Sequence, residues 1–263
     1  MPRIELPGGL MLNSSVDGPE GAPWVMLSNS LGADLTMWDG QVDLLSRKYR
    51  VLRYDQRGHG ESDAPDGPYS FDILVADALA IMDHHGVEKA DWIGLSMGGM
   101  TGMGLAIHHA DRFGRMVLAD ARSVATDAYK QMWDQRIAAI EKEGVETVVA
   151  GSLAIWLTKD FRAANPDVTV ACAAMIAGTS ARGYIASCHA LRALDYFKDL
   201  DKIKIPVLYL CGGKDEAAPP EEMRQMAKVT PGARYVEIPD AAHLANINRP
   251  EAFNAALAEF LDL

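Results

Sequence analysis

Three residues far apart in the 263-residue chain, Ser96, Asp215 and His243, have the types and settings that nucleophilic acyl transfer requires. A serine hydroxyl is a weak nucleophile until an imidazole takes its proton, and the imidazole needs a carboxylate to fix its tautomer. Ser96 lies in Gly94-Leu95-Ser96-Met97-Gly98, after the apolar run Ala90-Asp91-Trp92-Ile93 and before a helix-forming stretch from Met97 to His109. That succession predicts strand, sharp turn and helix, with the serine at the strained apex and glycines where Cβ atoms would collide. The same pattern arises by chance in a chain with 23 glycines, and Ser96 would then be an ordinary helix N-cap. Only a base and an acid within reach give it chemistry.

Both partners are expected at strand ends. Ile205-Pro206-Val207-Leu208-Tyr209-Leu210-Cys211 reads as a buried strand, and Gly212-Gly213-Lys214 turns the chain so that Asp215 stands just beyond its carboxyl end. Open α/β sheets collect their sites at that edge. A further strand, Ala233 to Ile238, leads into Pro239-Asp240-Ala241-Ala242-His243, a loop that sets His243 beside Asp215. Asp215 read alone is also good turn chemistry, and Asp120, at the end of Arg115-Met116-Val117-Leu118-Ala119, is a rival acid on the neighbouring strand tip. The later strand is preferred for the acid, because the order serine, acid, histidine is the order of the α/β hydrolases. An oxyanion needs two donors, and the expected ones are the backbone N–H of Met97 and that of Leu31, in the turn after Val25-Met26-Leu27-Ser28.

Seven apolar runs read as strands: Met11–Ser15, Trp24–Ser28, Val51–Tyr54, Ala90–Leu95, Arg115–Ala119, Val207–Leu210 and Arg234–Ile238. Helical segments alternate with them at Phe71–Gly86, Met97–His109, Pro220–Val229 and Pro250–Leu261. This alternation predicts a mostly parallel sheet with helices on both faces, and with the order serine, acid, histidine the reading is an α/β-hydrolase fold. From Arg122 to about Phe197 the alternation stops and the apolar spacing becomes helical, as in Trp133, Ile137 and Ile140. The domains are therefore read as a core of residues 1–121 and 198–263 with a helical cap, 122–197, inserted between sheet strands.

A net charge of −11 and a pI near 5.0 argue against a nucleic-acid partner, and no apolar stretch approaches membrane-spanning length. Three cysteines without paired spacing, and no basic leader followed by an apolar run, read as a reduced compartment, the cytoplasm. The adjacent pairs His84-His85 and His108-His109 lack the spacing that puts two metal ligands on one helix face, so neither a metal nor another cofactor is expected. The oligomeric state is left open.

Over nearly its whole length the sequence resembles the 3-oxoadipate enol-lactonases of the α/β-hydrolase superfamily. The resemblance is carried by Leu27-Ser28-Asn29-Ser30-Leu31-Gly32 with Trp38-Asp39, Tyr54-Asp55-Gln56-Arg57-Gly58-His59-Gly60-Glu61-Ser62, Gly94 to Met100, and Ala242-His243-Leu244-Ala245-Asn246. Asn29-Ser30 is the more discriminating feature, since it replaces the usual His-Gly in the manner of those lactonases. In the cap, Trp133 with Arg136, and Gly183-Tyr184 ahead of Leu191-Arg192, are similar too. The family's cap commonly presents an arginine before a tryptophan; here Ile155 precedes Trp156. The resemblance thus implies a pocket built from Trp133 and Trp156, with Arg122, Arg136 or Arg192 meeting a substrate carboxylate. It implies a serine hydrolase that opens a small lactone or ester through an acyl-enzyme. The same triad would serve a carboxylesterase, perhydrolase or carbon–carbon bond hydrolase, and a ligand receptor on this fold is a further alternative.

Overall fold

Short apolar runs separated by helical crossovers fold into a mostly parallel sheet, as their alternation predicts. A computed structural model describes residues 3–263. Its strands are β1 (Arg3–Glu5), β2 (Met11–Asp17), β3 (Trp24–Ser28), β4 (Arg50–Tyr54), β5 (Ala90–Leu95), β6 (Phe113–Ala119), β7 (Val207–Gly212) and β8 (Arg234–Ile238). They lie side by side in the order β1-β2-β4-β3-β5-β6-β7-β8. The β1–β2 and β2–β4 pairs are antiparallel and every other neighbouring pair is parallel. All six residues of β5 are buried, as expected of a central strand covered on both faces.

Between strands run α1 (Asp39–Leu45), α2 (Phe71–His84) and α3 (Met97–His108), then α4 (Asp127–Glu143), α5 (Val149–Trp156), α6 (Lys159–Ala164), α7 (Pro166–Gly178) and α8 (Ala181–Arg192). After β7 come α9 (Pro220–Val229), α10 (Ala245–Asn248) and α11 (Pro250–Leu261). Helices α4 to α8 form one insertion between β6 and β7. Its two ends meet where Ala125 N–H donates to Leu194 O at 2.8 Å and Tyr196 N–H to Ser123 O at 2.7 Å. No single helix among the described residues is long and apolar enough to cross a membrane.

Element ends depart from the sequence reading in several places, two of them for a clear physical reason. Arg3–Glu5 pairs as an extra edge strand with β2; three residues are too few to display a period. The helix expected to run to Gly86 stops at His84, because Gly86 takes φ +67° and turns the chain toward β5.

Candidate active site

The carboxyl ends of β3, β5, β6 and β7 lie side by side and bring the chemistry-bearing residues together. Ser96 follows β5 with φ +56° and ψ −115°, a conformation rare for a residue with a Cβ. The flanking glycines make that turn possible. A Cβ on Gly94 would stand 2.1 Å from Gly98 O, and one on Gly98 would stand 2.1 Å from Ser28 O. The Ser96 N–H donates to Ala119 O at 2.9 Å, tying the apex to β6. Although Ser96 occupies the N-cap position of α3, its side chain makes no capping bond, so the hydroxyl is left to the cavity it lines.

Asp215 and His243 meet directly, with His243 Nδ1 2.8 Å from Asp215 Oδ2 and both residues buried. Asp215 Oδ1 accepts the N–H groups of Ala217 at 2.7 Å and Ala218 at 3.0 Å, so both carboxylate oxygens are engaged. The imidazole nitrogen that faces a carboxylate must carry the hydrogen, which leaves Nε2 as a proton acceptor. His243 and Ser96 line the same cavity without a direct hydrogen bond in this structure, a looseness common before substrate tightens a site.

Asp120, the rival acid, is buried at the tip of β6 with φ +45°. Its Oδ1 accepts the Gly212 N–H at 2.7 Å, and it makes no bond to the imidazole. Burial first, and then the negative charge of Asp215, push its carboxyl well above the usual carboxylate range.

The turn after β3 is held by Asn29. Its Oδ1 accepts from Trp38 Nε1 at 3.0 Å, its Nδ2 donates to Tyr54 O at 3.1 Å, and its backbone carbonyl accepts from Gly98 N at 3.0 Å and Gln56 Nε2 at 2.6 Å. One carboxamide both donates and accepts, which explains an asparagine there. Leu31 lines the cavity, and among the described residues neither the Leu31 N–H nor the Met97 N–H has a protein acceptor.

The cavity has a volume of about 400 Å³, within the range of small-molecule sites. Ser96 and His243 lie on its wall with Tyr129, Trp133, Trp156 and Tyr184, and Arg122 and Arg136 supply cationic groups. The two arginines differ in availability. Arg122 is ion-paired with Glu222 and stacked 4.6 Å from the Tyr129 ring. Arg136 donates to Ser152 Oγ at 2.6 Å and stacks on Trp133 and Tyr184, with no carboxylate partner among the described residues. Trp133 Nε1 is buried without an acceptor among the described residues.

Arg192 does not belong to this wall. On the last turn of α8 it turns outward to Asp134 of α4, 2.7 Å away, so the expectation that it meets the substrate is corrected. Sequence reading did not single out Tyr129 or Ser152, and named Tyr184 only as part of the cap resemblance, not as cavity wall. Helical spacing alone carries no sign of which face of a cap helix borders a cavity.

The family model for the alpha/beta hydrolase fold matches residues 23–250, and the chain belongs to that family. Within it, two 3-oxoadipate enol-lactonases of Acinetobacter baylyi are similar throughout. Enol-lactonase 2 is 34% identical, covering 94% of this chain and 91% of its own, and enol-lactonase 1 is 35% identical, covering 96% and 94%. Among solved structures, the enol-lactonase from Burkholderia xenovorans LB400 matches with a TM-score of 0.96 and 39% identity over 100% of both chains. The protein is a hydrolase acting on ester bonds.

Proposed function

We propose that this hydrolase opens a small anionic lactone, with 3-oxoadipate enol-lactone as the favoured substrate, through an acyl-enzyme on Ser96. The observation that carries the reading is the His243–Asp215 pair opening onto the same cavity as the strained Ser96, with Arg136 free of any carboxylate partner among the described residues. The enol-lactonase relatives support the substrate class.

In this reading Asp215 keeps the Nδ1 hydrogen in place and stabilises the imidazolium, while Nε2 takes the Ser96 proton as Oγ attacks the lactone carbonyl. The developing oxyanion is received by the N–H groups of Leu31 and Met97. The ring oxygen leaves as an enolate still tethered to the acyl group, takes the proton from His243 and relaxes to a ketone, which draws ring opening forward. Water, deprotonated in turn by His243, then attacks the ester of Ser96 and frees the carboxylate. Residues 122–197 act as the cap that supplies Arg136, Trp133, Trp156 and Tyr184 to the substrate.

Ile155 on the cavity wall favours a second reading, a neutral lactone or ester, since it stands where related caps commonly carry an arginine. A panel that includes 3-oxoadipate enol-lactone, neutral lactones of the same ring size and short-chain esters separates the two. Preference for the enol-lactone by at least tenfold in kcat/KM is expected; higher kcat/KM on the neutral compounds would replace the first reading with the second.

A further inference from the structure

Asp120 is a buried carboxyl group that the acyl-transfer steps leave unused, set beside the one they rely on. Two strand tips meet here. The Asp120 N–H donates to Leu210 O at 2.9 Å and Asp120 Oδ1 accepts the Gly212 N–H, while the Asp215 N–H donates to Gly212 O at 3.1 Å. Asp120 therefore grips the end of β7 at the residue from which Asp215 itself is hung. Its second oxygen, Oδ2, is buried with no partner in hydrogen-bonding geometry among the described residues.

Two carboxyl groups facing one another in a buried site do not both ionise. The proton goes to the one with fewer donors. Asp215 receives His243 Nδ1 and two backbone N–H groups, whereas the Asp120 side chain receives the Gly212 N–H. The titratable groups packed around Asp120 are Asp215, beyond β7, and the buried Cys211 thiol on β7; the backbone N–H groups of Gly212 and of Ala245 on α10 face it as well.

We propose that Asp120 is a positioning residue for the triad acid: as a neutral carboxylic acid it offers its Oδ2 hydrogen toward Asp215, so that Asp215 is the one ionised carboxylate at this strand edge and stays aimed at His243. The raised position of the Asp120 carboxyl, caused by burial and by the Asp215 charge, agrees with this arrangement. The proposal rests on the reading of Asp215 as the acid that orients His243.

The test compares wild type, Asp120→Asn, Asp120→Ala and Asp215→Asn on an activated ester, with folding checked by circular dichroism and kcat/KM followed across pH. Asparagine stands in for a neutral acid, so Asp120→Asn should keep kcat within about threefold and leave the acid limb of the profile in place. Asp120→Ala removes a hydrogen bond to a charged group and should lower kcat roughly 10- to 100-fold at nearly unchanged KM. The infrared carbonyl band of a protonated buried carboxyl should be present in wild type at neutral pH and missing in Asp120→Asn. This band and the Asp120→Asn profile decide the matter even where the alanine variant fails to fold.

The proposal is overturned by a wild type without the band, by a folded Asp120→Ala enzyme within twofold of wild type, or by an acid limb that moves to lower pH in Asp120→Asn. The last result means that a negative charge near His243 has been removed, hence that Asp120 was ionised. Near-native turnover in Asp215→Asn together with a crippled Asp120→Asn would instead strike the acid assignment beneath the proposal.

Discussion

Changing Arg136 to glutamine perturbs the one cationic group on the cavity wall that has no carboxylate partner among the described residues. The guanidinium centre lies 5.6 Å from the Trp133 ring and 5.9 Å from the Tyr184 ring, and one nitrogen is used on Ser152 Oγ at 2.6 Å. Its remaining donors are free for a planar anion. At about 4 Å, in an effective dielectric near 20, a carboxylate gains roughly 4 kcal/mol from that charge, and desolvation of both ions offsets part of it. A net contribution of about 1.5–3 kcal/mol, as measured for hydrogen bonds to charged groups, corresponds to a loss of roughly 10- to 150-fold in kcat/KM on an anionic lactone. On a neutral ester the loss should stay within about threefold, because an uncharged substrate makes no use of the Arg136 charge and glutamine still covers part of the aromatic wall. Arg136→Lys, which keeps the charge but not the fork, should fall between. Steady-state kinetics on a matched pair, a lactone acid and its methyl ester, reads the difference. Equal losses on both partners would refute anion recognition by Arg136, and so would an undiminished kcat/KM on the acid.

The remaining predictions concern the nucleophile, the base and a buried histidine. Ser96→Ala and His243→Ala should each lower kcat by about 10⁴- to 10⁶-fold with the circular dichroism spectrum unchanged, since the members of a triad act as a unit; near-native turnover in folded Ser96→Ala would remove that serine from the mechanism. His59 is buried, which pushes its pKa from 6.5 down to about 4. Its neutral form therefore contributes stability that is complete above pH 6.5 and is lost as the pH falls from there through 4, up to about 3 kcal/mol. Urea unfolding at pH 7 and pH 4.5 should show wild type losing about 2–3 kcal/mol more than His59→Gln over that interval, and parallel losses would contradict the assignment.

Residues that end apolar runs were legible from sequence because a strand's length and its terminating turn are local properties. Ser96, Asp215 and His243 each follow such a run, and β3, β5 and β8 begin and end where their hydrophobic patterns do. What crosses between elements was not legible. Arg136 and Arg192 both lie on helices of the insertion, and their spacing does not reveal that one reaches Ser152 inside while the other meets Asp134 outside. That distinction depends on how α4 and α8 pack together. Asp120 was visible as a strand-end carboxylate, yet its relation to Asp215 depends on the β6–β7 register, in which Ala119 pairs with Leu210.

The histidine loop shows how deeply the insertion is involved in the site. Backbone N–H groups of His243 and Leu244 donate to Ile155 O at 3.3 Å and to Trp156 O at 3.0 Å, so the end of α5 holds the segment that carries the imidazole. Ile155 and Trp156 also line the cavity. The element that borders the cavity and the element that carries His243 are thus joined by main-chain hydrogen bonds, which do not depend on side-chain identity. Side chains at 155 and 156 can change to suit a different acyl group while those bonds persist, so substrate preference can vary along α5 without moving His243 away from Asp215. A rigid displacement of α5 as a lid, by contrast, would draw the histidine loop with it. In this fold the cavity wall is adjustable by substitution, and the geometry of the His243–Asp215 pair is protected from it.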